Sequence, residues 1–129
     1  MVLKLIDATQ AKPGTTIIYE GESCAIRSNE ISKTGKHGHA KCRIEAIGLT
    51  DNKKRVIMVP GHERFEVPLI NKKRGQVLSV NNNIANVMDL ESFETLDILI
   101  AEEIRQEIQP ESQVEYWEIE GKNIIKRKL

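Results

Sequence analysis

The residues best placed to do chemistry lie in one short connection between two alternating segments. Residues 33–39, KTGKHGH, contain no apolar side chain, and Gly35 and Gly38 bracket Lys36 and His37. Glycines at this spacing supply the positive-φ conformations that a sharp reversal of the chain needs. The pattern therefore predicts a hairpin whose tip presents the primary amine of Lys36.

A lysine in such a loop is compatible with several kinds of site. GKHG matches the Gly-x-x-Gly loop of KH domains, but that loop joins two helices, whereas strand patterns flank this one. The spacing does not fit a P-loop. His37, His39 and Cys42 would give three zinc ligands, and a fourth at suitable spacing is missing. A Schiff-base lysine needs a desolvated pocket, which an exposed polar tip does not supply. A solvated loop with basic residues for solubility is the plain alternative.

The charges of the chain are distributed unevenly. The net charge is zero, from 19 Lys/Arg and 19 Asp/Glu, yet residues 1–70 carry net +3 and residues 71–129 net −3. Residues 31–55 hold seven bases against two acids, and residues 89–120 hold eleven acids against one base. Only the first half therefore carries the charge that favours contact with phosphate groups.

Strand patterns dominate the first half, and five short β-branched or alternating segments predict a small barrel. The predicted strands are Thr15–Glu20, Cys24–Ser32, Ala40–Leu49, Arg55–Val59 and Phe65–Ile70.

The second and third of these segments are expected to pair as an antiparallel hairpin centred on Lys36. Positions that sum to 72 then face each other, so Ser32 pairs with Ala40, Ser28 with Ile44 and Ile26 with Ala46. In this register Cys24, Ile26 and Ser28 share one face of the sheet with Cys42, Ile44 and Ala46.

A junction is predicted at Leu69–Gly75, which follows Pro68, contains three consecutive bases and ends in glycine. Beyond it we expect three strands, one helix and two strands, which is the element order of an OB-fold. The predicted strands are residues 76–80, 84–89, 94–98, 113–119 and 123–126. Ile100, Ile104 and Ile108 recur every four residues and predict a helix over residues 99–109, ended by Pro110. We thus expect two domains, residues 1–69 and 70–129.

Two further features bound the class of protein. The sequence contains no 18-residue apolar run and no secretory leader pattern, so we expect a cytoplasmic protein without a membrane partner. Cys24 and Cys42 each sit in an alternating pattern and are expected to be reduced, buried thiols.

One loop and several strand segments together resemble a known family. The segment SKTGKHGHAK, residues 32–41, is similar to the modification loop of the hypusine-containing translation initiation factors 5A, in their archaeal form. Similarity extends to EGESC (20–24), RIEAIGL (43–49), NKKR (52–55), FEVPLI (65–70), GQVLSV (75–80) and MDLESFET (88–95). A triple-Asn turn at Asn81–Asn83 departs from the Gly-Asp that is usual there.

The resemblance implies a mainly β protein, with an N-terminal SH3-like barrel followed by a C-terminal OB-fold with one helix. It implies that Lys36 is the substrate of deoxyhypusine synthase, which transfers an aminobutyl group from spermidine using NAD and leaves deoxyhypusine or, after hydroxylation, hypusine. The cofactor belongs to that enzyme, so this chain is expected to bind none.

The resemblance also implies partners and a site. The modified factor is expected to bind the ribosome with its rRNA and peptidyl-tRNA, and to promote peptide-bond formation at proline-rich sequences. Besides Lys36, the loop and arm residues expected to contact RNA are Lys33, Thr34, Gly35, His37, Gly38, His39, Lys41 and Arg43.

The C-terminal domain is expected to be a spacer or a protein-facing domain. It is acidic, its aromatics are Phe93, Tyr116 and Trp117, and one or two of these should lie in the core. Weak RNA contact is expected only from its basic ends, Lys72–Arg74, Lys122 and Lys126–Lys128.

Three classes of function therefore remain distinct. The leading hypothesis is a non-catalytic translation factor activated by modification at Lys36. A generic RNA-binding protein of ribosomal or transcription-elongation type is the alternative. A small lysine-dependent enzyme is disfavoured, because no acid, base or metal ligands accompany Lys36.

Overall fold

A computed structural model describes residues 2–33 and 40–129 of the chain. It is built mainly from strands and divides into two compact units, Met1–Leu69 and Ile70–Leu129. Within the described residues no helix is long and apolar enough to span a membrane. The two units correspond to an SH3-like domain and an OB-fold, so the expected mainly β fold is confirmed.

The first unit is a six-stranded antiparallel sheet in the order β1-β6-β2-β3-β4-β5. The strands are β1 (Val2–Asp7), β2 (Thr16–Tyr19), β3 (Glu22–Lys33), β4 (Ala40–Gly48), β5 (Lys54–Pro60) and β6 (Arg64–Pro68), with a short 3-10 helix at Ala8–Gln10. The core contains Ile17, Ile26, Ile44, Ile57 and Phe65. The sequence patterns predicted five of these strands and missed β1, whose Leu3 and Leu5 are exposed and give no buried alternation.

The predicted hairpin register is correct only for the inner half of the β3–β4 pair. Ile26 lies opposite Ala46, as predicted, but a β-bulge then shifts the register by one residue. Ser28 faces Glu45, not Ile44, and Ser32 faces Lys41, not Ala40. The bulge leaves one extra residue on β3, which moves the following odd-numbered residues onto the face that Cys24 and Ile26 occupy.

The second unit is a closed five-stranded barrel in the order β10-β11-β9-β8-β7. Its strands are β7 (Ile70–Asn81), β8 (Ile84–Asp89), β9 (Thr95–Ile100), β10 (Gln113–Ile119) and β11 (Lys122–Lys128). The parallel pairing of β11 with β9 closes the barrel, and the other pairs are antiparallel. The core includes Val77, Val87, Ile98, Val114 and Tyr116. The predicted bounds of β8 and β10 are confirmed.

The helix predicted over residues 99–109 is wrong in extent and in type. Only Glu102–Glu107 is helical, as a 3-10 helix, and Ile100 belongs to β9. The amide of Ala101 donates to the carbonyl of Ile125, and Ile100 pairs with the same residue across the β9–β11 ladder. Residues 100 and 101, which the four-residue isoleucine spacing assigned to a helix, therefore make their backbone contacts with β11, where the barrel closes.

The two units divide between Leu69 and Ile70, inside the predicted junction Leu69–Gly75, but residues 70–75 do not form a linker. β7 begins at Ile70, and residues 70–75 pair along their whole length with β10. Gly75 is buried, and a Cβ there would collide with Val87 Cγ1. This glycine therefore allows close packing inside the barrel and does not mark a linker.

Candidate functional site: the β3–β4 arm

The outer part of β3 and β4 forms an arm that extends from the first unit. The last described pair of the arm is Lys33 opposite Ala40. Six residues predicted to contact RNA or to carry the modification lie outside the described residues; they are Thr34, Gly35, Lys36, His37, Gly38 and His39. The structure describes the two strands that flank these six residues, β3 up to Lys33 and β4 from Ala40.

The arm has an exposed outer section on β3. The four residues Glu30–Lys33 are all exposed, and at about 3.3 Å per residue they span about 13 Å. On the other strand β5 pairs with β4 as far as Lys41 opposite Pro60. A third strand thus stiffens the β4 side of the arm to within one residue of its described end.

The three described basic residues of the predicted site do not share a single face. Lys41 and Arg43 alternate with the buried Cys42 and Ile44, so they point outward from the sheet. Lys33 lies opposite Ala40, in register with the other face, and is exposed. Positive charge is therefore available on both sides of the arm.

Arg43 is already engaged by a carboxylate. Its Nη1 donates to Glu45 Oε1 at 3.1 Å, and Lys54 Nζ lies 3.5 Å from the same oxygen. The hydrogen bond from Arg43, together with the charge of Lys54, lowers the pKa of Glu45, which stays ionised at neutral pH. An incoming phosphate must compete with Glu45 for Arg43, whereas no described carboxylate forms an ion pair with Lys41.

Asn29 holds the base of the arm against a neighbouring segment. The sequence patterns predict no role for it. Its Nδ2 donates to the carbonyl oxygens of Ala8 and Ala11, at 2.8 and 3.0 Å. The bulge turns Asn29 toward these carbonyls, which belong to the segment around the first 3-10 helix. The only sequence signal was a polar residue in a strand segment, and the predicted register gave it no role.

Gly61 supports the arm near its described end. Its amide donates to the carbonyl of Ala40 at 2.7 Å. A Cβ at Gly61 would lie 2.8 Å from Thr9 Cγ2, closer than real Cβ contacts, and 3.0 Å from Ala40 Cβ, which is also tight. The turn between β5 and β6 can therefore approach Ala40 because position 61 has no side chain.

Replacing Asn29 with aspartate is expected to lower the free energy of unfolding of the chain by about 3 kcal/mol, because it places a carboxylate against two carbonyl oxygens. Thermal and urea unfolding measure this effect. Asn52→Asp, at a half-buried turn position of the same unit, is the matched control and should cost much less stability. An Asn29→Asp chain as stable as the control would show that the two hydrogen bonds do not hold the arm.

The cysteines behave as expected. Cys24 and Cys42 are free and buried, and burial raises the pKa of both thiols. Cys42 belongs to the core of the first unit. No group of three potential metal-ligating side chains is found in the part of the chain that the structure describes. The combination of His37, His39 and Cys42 falls partly outside that part.

Comparison with known proteins gives consistent matches. Residues 4–63 match the family model for the N-terminal domain of translation initiation factor 5A-like proteins. The chain is 39% identical over 122 residues to a translation initiation factor 5A of Archaeoglobus fulgidus, covering 95% of each. It is 40% identical over 126 residues to that of Pyrococcus horikoshii, covering 95% of this chain and 91% of the relative.

A solved structure is similar over both units. The translation initiation factor 5A of Methanococcus jannaschii superposes with a TM-score of 0.85 at 35% identity, covering 98% of this chain and 94% of that chain. The similarity therefore includes the arm and the barrel of the second unit.

Proposed function

The chain belongs to the translation initiation factor 5A family, and we propose that it works on the ribosome through a modified lysine at position 36. The family supports the role of a translation factor. The finer proposal is that a cytoplasmic, non-catalytic factor carries deoxyhypusine or hypusine at Lys36 and promotes peptide-bond formation, notably between prolines. The observation that carries it is the family match across the arm, whose tip sequence holds Lys36 between two glycines.

The proposed modification requires an accessible primary amine. The described part of the arm next to this amine, Glu30–Lys33 on β3, is exposed over about 13 Å, so a modifying enzyme can approach this part of the chain without unfolding the core. We propose deoxyhypusine synthase as that enzyme, with spermidine as aminobutyl donor. The product has a longer side chain and a second cationic nitrogen, so it reaches further and binds anionic RNA more strongly.

The proposed action on the ribosome is positional. The acceptor end of peptidyl-tRNA is a flexible single strand, and proline is a poor nucleophile held in a restricted conformation. A cationic side chain that holds this end in place lowers the entropic cost of reaching the reactive geometry. No acid–base chemistry by the factor is needed for such an effect.

A reconstituted translation assay tests the proposal. A message that encodes consecutive prolines is translated without the factor, with the factor made without synthase, and with the factor modified by synthase and spermidine. We expect only the modified factor to increase full-length product. A message without proline runs is the control and should respond weakly. Equal stimulation by the unmodified factor would contradict the proposed role of the modification.

The described bases of the arm should act through phosphate contacts. Lys41→Gln is expected to weaken ribosome binding severalfold and to reduce the dependence of affinity on salt, because one phosphate contact is lost. Glu45→Gln is expected to act in the opposite direction, because it releases Arg43 and Lys54 from a competing carboxylate. Affinity measured across a salt series checks both.

The two arm variants differ by two charge units on the same outward face of β4, so each is the control for the other. Identical salt dependence for Lys41→Gln, Glu45→Gln and the natural chain would show that this face does not contact RNA on the ribosome.

A further inference from the structure

Trp117 lies at the centre of a basic surface on the barrel of the second unit, where β7, β10 and β11 are adjacent. We call it the tryptophan surface, and it comprises Lys72, Arg74, Glu115, Trp117, Lys126 and Arg127. Trp117 faces Lys72 across the β10–β7 ladder. Lys72 Nζ and Lys126 Nζ lie 5.1 and 5.2 Å from the centre of the indole ring. Both distances place a cation against the aromatic face.

The indole ring is held in a fixed orientation. Its Nε1 donates to Glu115 Oε1 at 3.0 Å, and Arg127 Nη2 donates to Glu115 Oε2 at 2.9 Å. The hydrogen bond from Trp117, together with the charge of Arg127, lowers the pKa of Glu115, so the carboxylate stays ionised at neutral pH. A ring held in place in this way loses little conformational freedom when a ligand stacks on it.

The charge of this surface is opposite to that of its domain. Residues 71–129 carry net −3, but the tryptophan surface has four basic side chains and one carboxylate. Arg74 faces Glu115 on one side, and Arg127 faces it on the other. Folding thus gathers, around one aromatic ring, bases that lie more than fifty residues apart in sequence.

The face on which OB-folds usually bind their ligands has no comparable combination of an aromatic ring and basic side chains. That face is formed by the second and third strands of the barrel, here β8 and β9. Its outward residues alternate with the buried ones and are Ile84, Asn86, Met88, Thr95, Asp97 and Leu99. They include no aromatic ring and no base, and the one carboxylate, Asp97, accepts a hydrogen bond from Asn86 at 3.0 Å.

We propose that the tryptophan surface binds single-stranded RNA, on the side of the barrel formed by β7, β10 and β11. One base stacks on Trp117 and displaces an ammonium group from the ring, and Lys72 and Lys126 then pair with the phosphates on either side. An aromatic platform flanked by cations is the chemistry that recognises a single strand independently of its sequence. The surface lies outside the arm, so the proposal goes beyond the proposed function and does not depend on modification of Lys36.

Trp117 is the single tryptophan of the chain, so its fluorescence reports this surface alone. The unmodified full-length chain is titrated at low salt with a 12-nucleotide single-stranded RNA of mixed sequence. We expect saturable quenching of the tryptophan emission, because a stacked base quenches indole. The same sequence as a duplex should quench much less, because its bases are stacked within the helix. An oligoglutamate peptide provides the probe for an acidic protein partner and should not quench.

Two sets of variants assign the signal to the residues named. Lys72→Gln with Lys126→Gln should weaken binding at least tenfold and reduce the slope of log affinity against log salt by about 1.4, from two lost phosphate contacts. Lys4→Gln with Lys12→Gln removes the same charge from exposed positions of the first unit and should leave the quenching curve unchanged. Trp117→Leu should weaken binding of a fluorescein-labelled strand roughly tenfold, as expected for one lost stacking contact.

The proposal is overturned if the single strand does not quench at low salt, or if oligoglutamate quenches and RNA does not. It is also overturned if the Lys72 and Lys126 variant binds RNA as tightly as the Lys4 and Lys12 control. None of these outcomes bears on stimulation of translation by the modified arm, so this proposal and the proposed function fail separately.

Discussion

Replacing Lys36 with arginine is expected to abolish stimulation of translation through consecutive prolines and to leave the fold unchanged. Arginine keeps the positive charge, but its guanidinium replaces the primary amine that the synthase must alkylate. Residues 33–39 contain no apolar side chain, so we expect the substitution to leave the core of the first unit intact. The yield of full-length proline-rich product in the reconstituted assay measures the effect, and we expect it to fall to the level seen without factor.

The neighbouring substitution Lys33→Arg is the matched control for Lys36→Arg. It makes the same change at the end of β3 and should retain most of the activity, because a guanidinium also pairs with phosphate. Full activity of the Lys36→Arg chain would mean that charge alone suffices at position 36. The modified-arm mechanism would then have to be abandoned.

Replacing Asp89 with alanine is expected to cost the second unit about 3 kcal/mol of stability, because it leaves a buried hydroxyl and two amides without a partner. The hydroxyl of Tyr116 donates to Asp89 Oδ2, and both side chains are buried. The amides of Glu91 and Ser92 donate to Asp89 Oδ1, at 2.8 and 2.9 Å. Urea unfolding, followed by the fluorescence of Trp117 in the same barrel, measures the loss.

Asp97→Ala is the control for Asp89→Ala, because it removes the same side chain from an exposed position of the barrel and should cost less than about 1 kcal/mol. A double-mutant cycle with Tyr116→Phe isolates the contact between the two side chains. We expect the combined loss to be smaller than the sum of the single losses. Strict additivity would show that Tyr116 and Asp89 do not stabilise each other.

The same pair predicts how stability responds to pH. The hydrogen bond from Tyr116, with those from the backbone, lowers the pKa of Asp89 to about 2. The folded state therefore binds a proton less readily than the unfolded chain, and this contribution to stability is present above about pH 4 and lost as the pH falls toward 2. Burial and the bond to Asp89 raise the pKa of Tyr116, so its contribution is present below about pH 10 and is lost progressively as the pH rises above it.

The strands that alternate strictly were predictable from sequence, and those that close the sheets were less so. β8 and β10 have the predicted bounds, because buried residues alternate with more exposed ones along all of β8 and most of β10. The β3–β4 register was misassigned because a bulge inserts one residue without leaving a mark in the apolar pattern. Ser28 and Asn29 are both polar, so the sequence could not indicate which of them turns inward.

The helix was misassigned because a four-residue isoleucine spacing fits more than one structure. Ile100 and Ile108 are buried on either side of a short 3-10 helix, one in a strand and one beyond the helix. The deciding contact is the pairing of β9 with β11, which joins segments about 25 residues apart. The spacing of apolar residues within one short segment cannot predict its pairing with a segment so distant in sequence.

The tryptophan surface illustrates what sequence reasoning misses at a site. The sequence predicts weak RNA contact from the basic ends of the second unit and treats Trp117 as one of three aromatics, without connecting the two. Tyr116 takes the buried position that was expected of the aromatics, and its neighbour Trp117 therefore points outward. Because β7 and β11 flank β10 in the closed barrel, the bases on both strands meet at Trp117. Only the topology brings them together.

The intact mass of the protein purified from its native host, with the modified residue located by peptide fragmentation, decides whether Lys36 carries the modification. We expect one aminobutyl-sized addition, with or without one further oxygen, on Lys36 and on no other lysine. A native chain with an unmodified Lys36 would contradict it. The basic outward face of the arm would then favour a generic RNA-binding protein over a factor that acts through a modified side chain.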